Sequence, residues 1–180
     1  MPSKYIAFLR AINVGGHTVK MDELRRLFEG LGLAKVETFI ASGNVIFEST
    51  AKNTPALARK IETHLQAALG YPVATFIRTP AELAAIVLYQ PFAASVPNAQ
   101  AHSLYIAFLA NQPAEAAHQK LMTFASDIDH FHIQGREVYW LCQKTMGQSE
   151  FSGARLEKAL GLPATLRNVT TVKKLAAKYS

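Results

Sequence analysis

The chain has 180 residues, of which 49% are hydrophobic and 18% charged, with a formal net charge of +6. That length fits one domain or two small ones, and so apolar a composition excludes a disordered chain. No apolar run reaches the ~20 residues of a membrane-spanning helix, and a lone Cys142 excludes both an internal disulfide and a cysteine cluster for zinc or iron–sulfur.

Lys4–Ile12 reads as a strand apolar on both faces, followed by a polar loop, Asn13 to Lys20, that contains Gly15-Gly16. Met21, Leu24, Leu27, Phe28 and Leu31 recur at helical spacing, with Asp22 and Glu23 in the first turn and Gly32 as a stop. Val36–Ala41 and Val45–Ser49 read as strands around a tight turn, Ser42-Gly43-Asn44, whose residues tolerate positive φ. Thr54-Pro55 is expected to open a helix as N-cap and N1, with Leu57, Ile61 and Leu65 on its buried side. Pro72–Arg78 is a fourth strand, and Thr79-Pro80-Ala81-Glu82 is a capping box that starts a further short helix. The order β-α-β-β-α-β is that of a ferredoxin-like plait.

Gln90–Ala101, with two prolines and no charge, reads as a linker, and after it the order begins again. Ser103–Ala110 is a strand, Pro113–Ala125 a helix, and His130–Gln134 with Glu137–Cys142 a hairpin around Gly135-Arg136. Gly153–Leu160 is a short helix, Pro163–Asn168 a tight segment, and Thr170–Tyr179 a C-terminal helix. The pentapeptide Tyr-Ile-Ala-Phe-Leu stands at 5–9 and again at 105–109, each time as the first strand of its half, which points to duplication or convergent packing. The expected architecture is α+β: a ferredoxin-like half over 1–89, a linker over 90–101, and a second half over 102–180 that carries the additional C-terminal helix. Both first strands are apolar on both faces, so the second sheet face of each half needs cover, and the other half is the economical candidate.

Three polar segments could carry chemistry. The first is Asn13–Lys20, where free amides at Gly15 and Gly16 and the cation of Lys20 at a helix entrance would cradle an anion. The other reading is a turn that needs positive φ. The spacing matches neither a P-loop nor G-x-G-x-x-G. The second is Ser42-Gly43-Asn44, a hairpin turn whose Ser42 and Asn44 could also hydrogen-bond a ligand; no partner at a known spacing makes Ser42 a nucleophile. The third is Thr165–Thr171, where Asn168 or Thr170 serves as N-cap and Arg167 sits one residue ahead, a common place for an anion clamp. Residues 153–180 hold six basic groups against one acidic, so this tail is the electropositive part of the chain.

Other signals read as structure. In a strand His130 and His132 share one face and Asp129 takes the other, so this trio reads as the outward face of a hairpin rather than as metal ligands. Cys142 sits in an apolar strand and reads as inert, and Tyr5, Phe8 and Phe47 read as core rather than as an RNA-binding platform.

Leu9-Arg10-Ala11-Ile12-Asn13-Val14-Gly15-Gly16 with Lys20-Met21, then Ser42-Gly43-Asn44-Val45-Ile46-Phe47, then Glu157-Lys158 and Thr165-x-Arg167-Asn168-x-x-Thr171-Val172-x-Lys174-Leu175, resemble the bacterial family known as domain of unknown function 1697. The resemblance spans nearly the whole chain and implies paired ferredoxin-like halves; it implies no activity. Ala11 stands where the family usually has Gly, and Val169-Thr170 where it often has Trp and Asn.

The expectation is a soluble cytoplasmic protein, with no metal, no cofactor and no membrane partner. It would bind a small anionic ligand or a nucleic-acid phosphate in a cleft between the halves. The candidate ligand-binding residues are Arg10, Asn13, Gly15, Gly16, Lys20, Ser42, Gly43, Asn44, Arg167, Asn168 and Thr171. The competing reading is a protein–protein adaptor in which these residues only fix turns. No carboxylate pair, triad or metal set assigns a catalytic residue.

Overall fold

The computed structural model describes residues 1–93, 103–143 and 149–180. The chain divides into two compact units, Met1–Glu82 and Leu83–Ser180.

The first unit runs β1 (Ser3–Leu9), α1 (Met21–Glu29), β2 (Ala34–Thr38), β3 (Asn44–Ser49), α2 (Thr54–Leu69) and β4 (Thr75–Arg78). Its antiparallel sheet has the order β2-β3-β1-β4, the arrangement of a ferredoxin-like plait. Successive side chains alternate across the pleat, so Tyr5, Ala7 and Leu9 of β1 join Val45 and Phe47 of β3 in a core with Leu24 and Phe28 of α1 and Leu57, Ile61 and Leu65 of α2. Ile6 and Phe8, on the opposite face, are equally buried. Helix α2 is capped one residue earlier than expected, so that Thr54 is its first residue: Asn53 is the N-cap and accepts from the Ala56 amide at 3.0 Å, and Gly70 closes the helix in the left-handed region. Glu62 of α2 accepts from the Thr75 amide at 2.8 Å and fixes the start of β4.

Helix α3 (Pro80–Leu88) begins in the first unit and continues into the second. Its capping box forms as expected: the Thr79 amide donates to Glu82 at 2.8 Å and the Glu82 amide to the Thr79 hydroxyl at 3.2 Å. The second unit continues with β5 (Ser103–Phe108), α4 (Glu115–Met122), β6 (Asp129–Gln134), β7 (Glu137–Cys142), α5 (Gly153–Leu160), β8 (Thr165–Asn168) and α6 (Val169–Tyr179). The sheet order β6-β7-β5-β8 repeats that of the first unit. Of the expected linker, residues 94–101 lie outside the described residues.

The repetition extends to register. Tyr5 faces Phe47 and Tyr105 faces Trp140; Ile6 faces Arg78 and Ile106 faces Arg167. Helix α5, like α2, has a polar N-cap (Ser152), a left-handed glycine at its end (Gly161), and a glutamate, Glu157, that accepts a backbone amide just before the last strand (Ala164, 2.9 Å).

Two further local expectations change. Pro163–Asn168 is not merely a tight segment, because Thr165–Asn168 pairs with β5 as an edge strand. The face of β6 that carries His130 and His132 is half-covered rather than open: the Tyr89 hydroxyl lies 2.7 Å from His132 Nε2, and Phe92 packs edge-on to His130. Asp129 does take the other face, where it is buried and accepts from Trp140 Nε1 at 2.8 Å and from Ser149 at 2.7 Å. Cys142 is buried. Among the described residues no group of three acidic, histidine or cysteine side chains could hold a metal ion, and no helix is long and apolar enough to cross a membrane.

Candidate functional site

At one end of the first sheet two loops meet. The β1–α1 loop leaves the sheet with the Arg10 amide donating to Ala74 O at 2.9 Å, and the Leu9 amide donates to Gly43 O of the β2–β3 loop at 2.8 Å. Asn13 then ties both loops together. Its Nδ2 donates to Ala41 O at 2.8 Å, and its Oδ1 accepts from the Val19 amide at 2.7 Å. One side chain thus closes its own loop and anchors the neighbouring one.

Between those anchor points, Val14-Gly15-Gly16-His17 forms a β-turn closed by the His17 amide on Val14 O at 3.1 Å. Gly15 (φ 60°) and Gly16 (φ 86°) both lie in the left-handed region, the signature of a type I′ turn. No atom lies within 4 Å of where a side chain would stand on either glycine, and among the described residues neither amide meets a protein acceptor. The His17 ring stacks on Tyr71, centroids 3.7 Å apart, and so fixes the far side of the turn. The Tyr71 hydroxyl is buried, and burial first, then the charge of Glu23, raises its pKa.

Lys20 is exposed at the N-cap position of α1, with no side-chain cap and no ion pair among the described residues. Asp22 and Glu23 already supply negative charge to the first helical turn. An anion at this loop would therefore meet the glycine amides and Lys20 rather than the helix dipole.

The β2–β3 loop is five residues long, 39–43, rather than a tight turn. Asn44 belongs to β3 and is fully buried; its Nδ2 donates to Phe39 O and to the Ser42 hydroxyl, each at 3.0 Å. Gly43 (φ 80°) packs so closely that a Cβ would stand 3.0 Å from Ile12 Cβ and 3.2 Å from Leu9 Cβ. The sequence therefore needs glycine here for both conformation and space. Ser42, Gly43 and Asn44 make a frame, and Asn13 fastens the β1–α1 loop to it.

Strain gathers at the same end. Of the four non-glycine residues with positive φ, three lie here, Ala11 (φ 63°), Asn13 (φ 57°) and the β-branched Ile40 (φ 51°); the fourth, Lys35 (φ 47°), is near the start of β2. Ile40 and Val14 are also more than half exposed. Such strain concentrates where a surface serves binding.

The third segment lies in the second unit. Arg167 is 7% exposed on β8, and its Nη1 donates to the Thr165 hydroxyl at 2.8 Å and to Leu166 O at 2.9 Å. Burial lowers its pKa to about 10. Asn168 is the N-cap of α6 and accepts from the Thr170 amide at 2.8 Å, while Thr171 is half-buried on the first turn. Arg78, which the sequence reading passed over, is the counterpart of Arg167 on β4: 1% exposed, and donating from Nη1 to the preceding carbonyl at the same 2.9 Å. The signal for it was the repeated pentapeptide, because the isoleucine of each copy faces an arginine.

A family model described as "Protein of unknown function (DUF1697)" matches residues 2–139, more than two thirds of the chain. The chain belongs to that family. The Asn13–Lys20 and Ser42–Asn44 segments lie inside the matched region, and Arg167–Thr171 lies beyond it. Among solved structures, the chain is similar to conserved bacterial protein SP0830 from Streptococcus pneumoniae, with 22% identity over 99% of both chains and a TM-score of 0.73. That likeness shows the fold. No curated protein matches the chain.

Proposed function

We propose that the first unit binds a small anion, or a phosphate of a nucleic acid, at the Asn13–Lys20 loop. The observation that supports this reading is the pair of glycine amides at 15 and 16, which meet no protein acceptor among the described residues, in a loop tied down by Asn13 and the His17–Tyr71 stack and ending at Lys20. Arg10 is exposed at the start of the same loop and adds positive charge. In this reading Ser42, Gly43, Asn44 and Asn13 position the loop, while Gly15, Gly16 and Lys20 contact the ligand. For Arg167 and Asn168, the bonds within their own unit support a role in building the β8–α6 junction, and Thr171 lies half-buried on the first turn of α6.

A second reading, a protein–protein adaptor, draws support from the exposed Val14 within the loop and Ile40 in the neighbouring β2–β3 loop. Thermal melting separates the two. Millimolar phosphate or sulfate should raise the Tm of the wild type and leave Lys20→Gln unmoved, because a charge-assisted hydrogen bond exists only with the ligand present. An oligonucleotide that binds with a steep loss of affinity in salt would assign the phosphate to nucleic acid. If no anion and no oligonucleotide shifts the wild-type melt, the anion reading fails and the adaptor takes its place.

A further inference from the structure

At the opposite end of the first sheet lies a cavity of about 500 Å³, lined by Pro2 just ahead of β1, the α1–β2 connection, the end of β3, the β3–α2 connection and the first two turns of α2. Asn44 begins β3 beside the glycine loop and Ser49 ends it beside this cavity, five residues further on. The two ends of β3 are therefore about 17 Å apart at ~3.3 Å per residue. The volume lies within the ~300–1,000 Å³ of small-molecule clefts.

The lining divides by chemistry. Leu31, Leu33 and Leu57 provide an apolar floor; Leu33 and Leu57 are core residues that show the cavity only an edge. Lys52 and Lys60 stand on the rim, and among the described residues neither has an ion-pair partner. The one carboxylate in the lining, Glu48, is held by Lys35 at 3.0 Å. The rim therefore keeps an uncompensated charge of two over an apolar floor. Asn53 and the turn that ends at Ala51 are locked by their own bonds, Asn53 to the Ala56 amide and Tyr5 to Ala51 O, so the walls are set before any ligand arrives.

We infer that this cavity is a second binding site, separate from the glycine loop, for a small amphiphilic anion: an apolar body against the leucines and a carboxylate or phosphate head between Lys52 and Lys60. The apolar part supplies binding and the head group supplies selection, since a cation of the same length would meet two lysines.

The test titrates the full chain with octanoate, octyl phosphate, octylammonium and inorganic phosphate by calorimetry, with amide NMR shifts to locate each ligand. Octanoate or octyl phosphate should bind saturably and move the amides of Leu33 and Leu57. Which of the two binds more tightly names the head group. Octylammonium and inorganic phosphate should not move those amides. The double reversal Lys52→Glu with Lys60→Glu, both on exposed side chains, should weaken binding at least about tenfold while leaving the melt of the free protein unchanged. Ala56→Trp, which puts an indole on the cavity lining, should block the ligand. Equal binding of octanoate and octylammonium, retention of affinity in the double reversal, or shifts confined to other regions would each overturn the site.

Discussion

The two units are built on one frame and differ at one end of it. In both, the leucine that follows the Ala-Phe of the first strand donates its amide to a carbonyl in the β–β loop: Leu9 to Gly43 at 2.8 Å, Leu109 to Arg136 at 2.9 Å. Around that shared bond everything else diverges. The second unit joins β5 to α4 in six residues without a glycine and turns its hairpin through Gly135-Arg136 alone. The first unit takes eleven residues from β1 to α1 and five from β2 to β3, and its loops hold Ala11, Asn13 and Ile40 in left-handed conformations. Longer, strained loops cost stability, and the second unit shows that the plait closes without them. The extra chain is where a function would be added to the frame.

The frame itself gives the largest expected effects, and they should be matched. Phe47→Ala in the first unit and Trp140→Ala in the second each remove the aromatic partner of the repeated tyrosine, and each should cost about 3–5 kcal/mol. Trp140→Ala should be the worse of the two, because it also leaves buried Asp129 without the indole N–H. Chemical denaturation of each variant checks the order; a harmless change at either position would break the equivalence of the two cores.

Next come the β–β loops. Gly43→Ala forces a methyl against Ile12 and Leu9 at a φ of 80° and should cost about 2–4 kcal/mol. Gly135→Ala, where a Cβ would meet only the Glu137 carboxylate at 3.9 Å, should cost about 1–2 kcal/mol from conformation alone. Equal costs at the two glycines would show that the close approach at Gly43 is relieved by small shifts. Asn13→Ala has no counterpart in the second unit. It removes the acceptor for the Val19 amide and the tie to Ala41, and should cost about 2–3 kcal/mol. Hydrogen exchange should then speed up at Val19 and not in β1.

The smallest expected change is a gain. Ala11 sits at φ 63°, where L-residues are disfavoured by ~1–2 kcal/mol, so Ala11→Gly should stabilise the protein by about 0.5–1 kcal/mol after the added chain entropy of glycine. The measured melt decides whether alanine at this position carries a cost.

The helices and most strands were legible because apolar periodicity and caps are local: Gly153–Leu160 and the Gly135-Arg136 hairpin fall where the pattern places them. Strand β8 was missed as a strand because four residues carry no periodicity, and its existence depends on pairing with β5. In the candidate site the sequence marked the right segments but not the division of labour within them. Asn13 and Asn44 look like ligand-binding amides until their bonds to Ala41, Val19 and Phe39 are seen. Arg167, expected beside a helix end, is also a buried strand residue, since the Ile106–Arg167 register cannot be read from either segment alone.

Under the proposed function the longer loop of the first unit binds an anion and the matching connection of the second does not. Amide NMR during a phosphate titration tests it most directly, because both connections are observed in one sample. Saturable shifts are expected at Gly15, Gly16 and Lys20 and none at Ala110–Ala114, with loss of the response in Lys20→Gln. Shifts of equal size in both connections, or none at Gly15 and Gly16 up to millimolar phosphate, would contradict it.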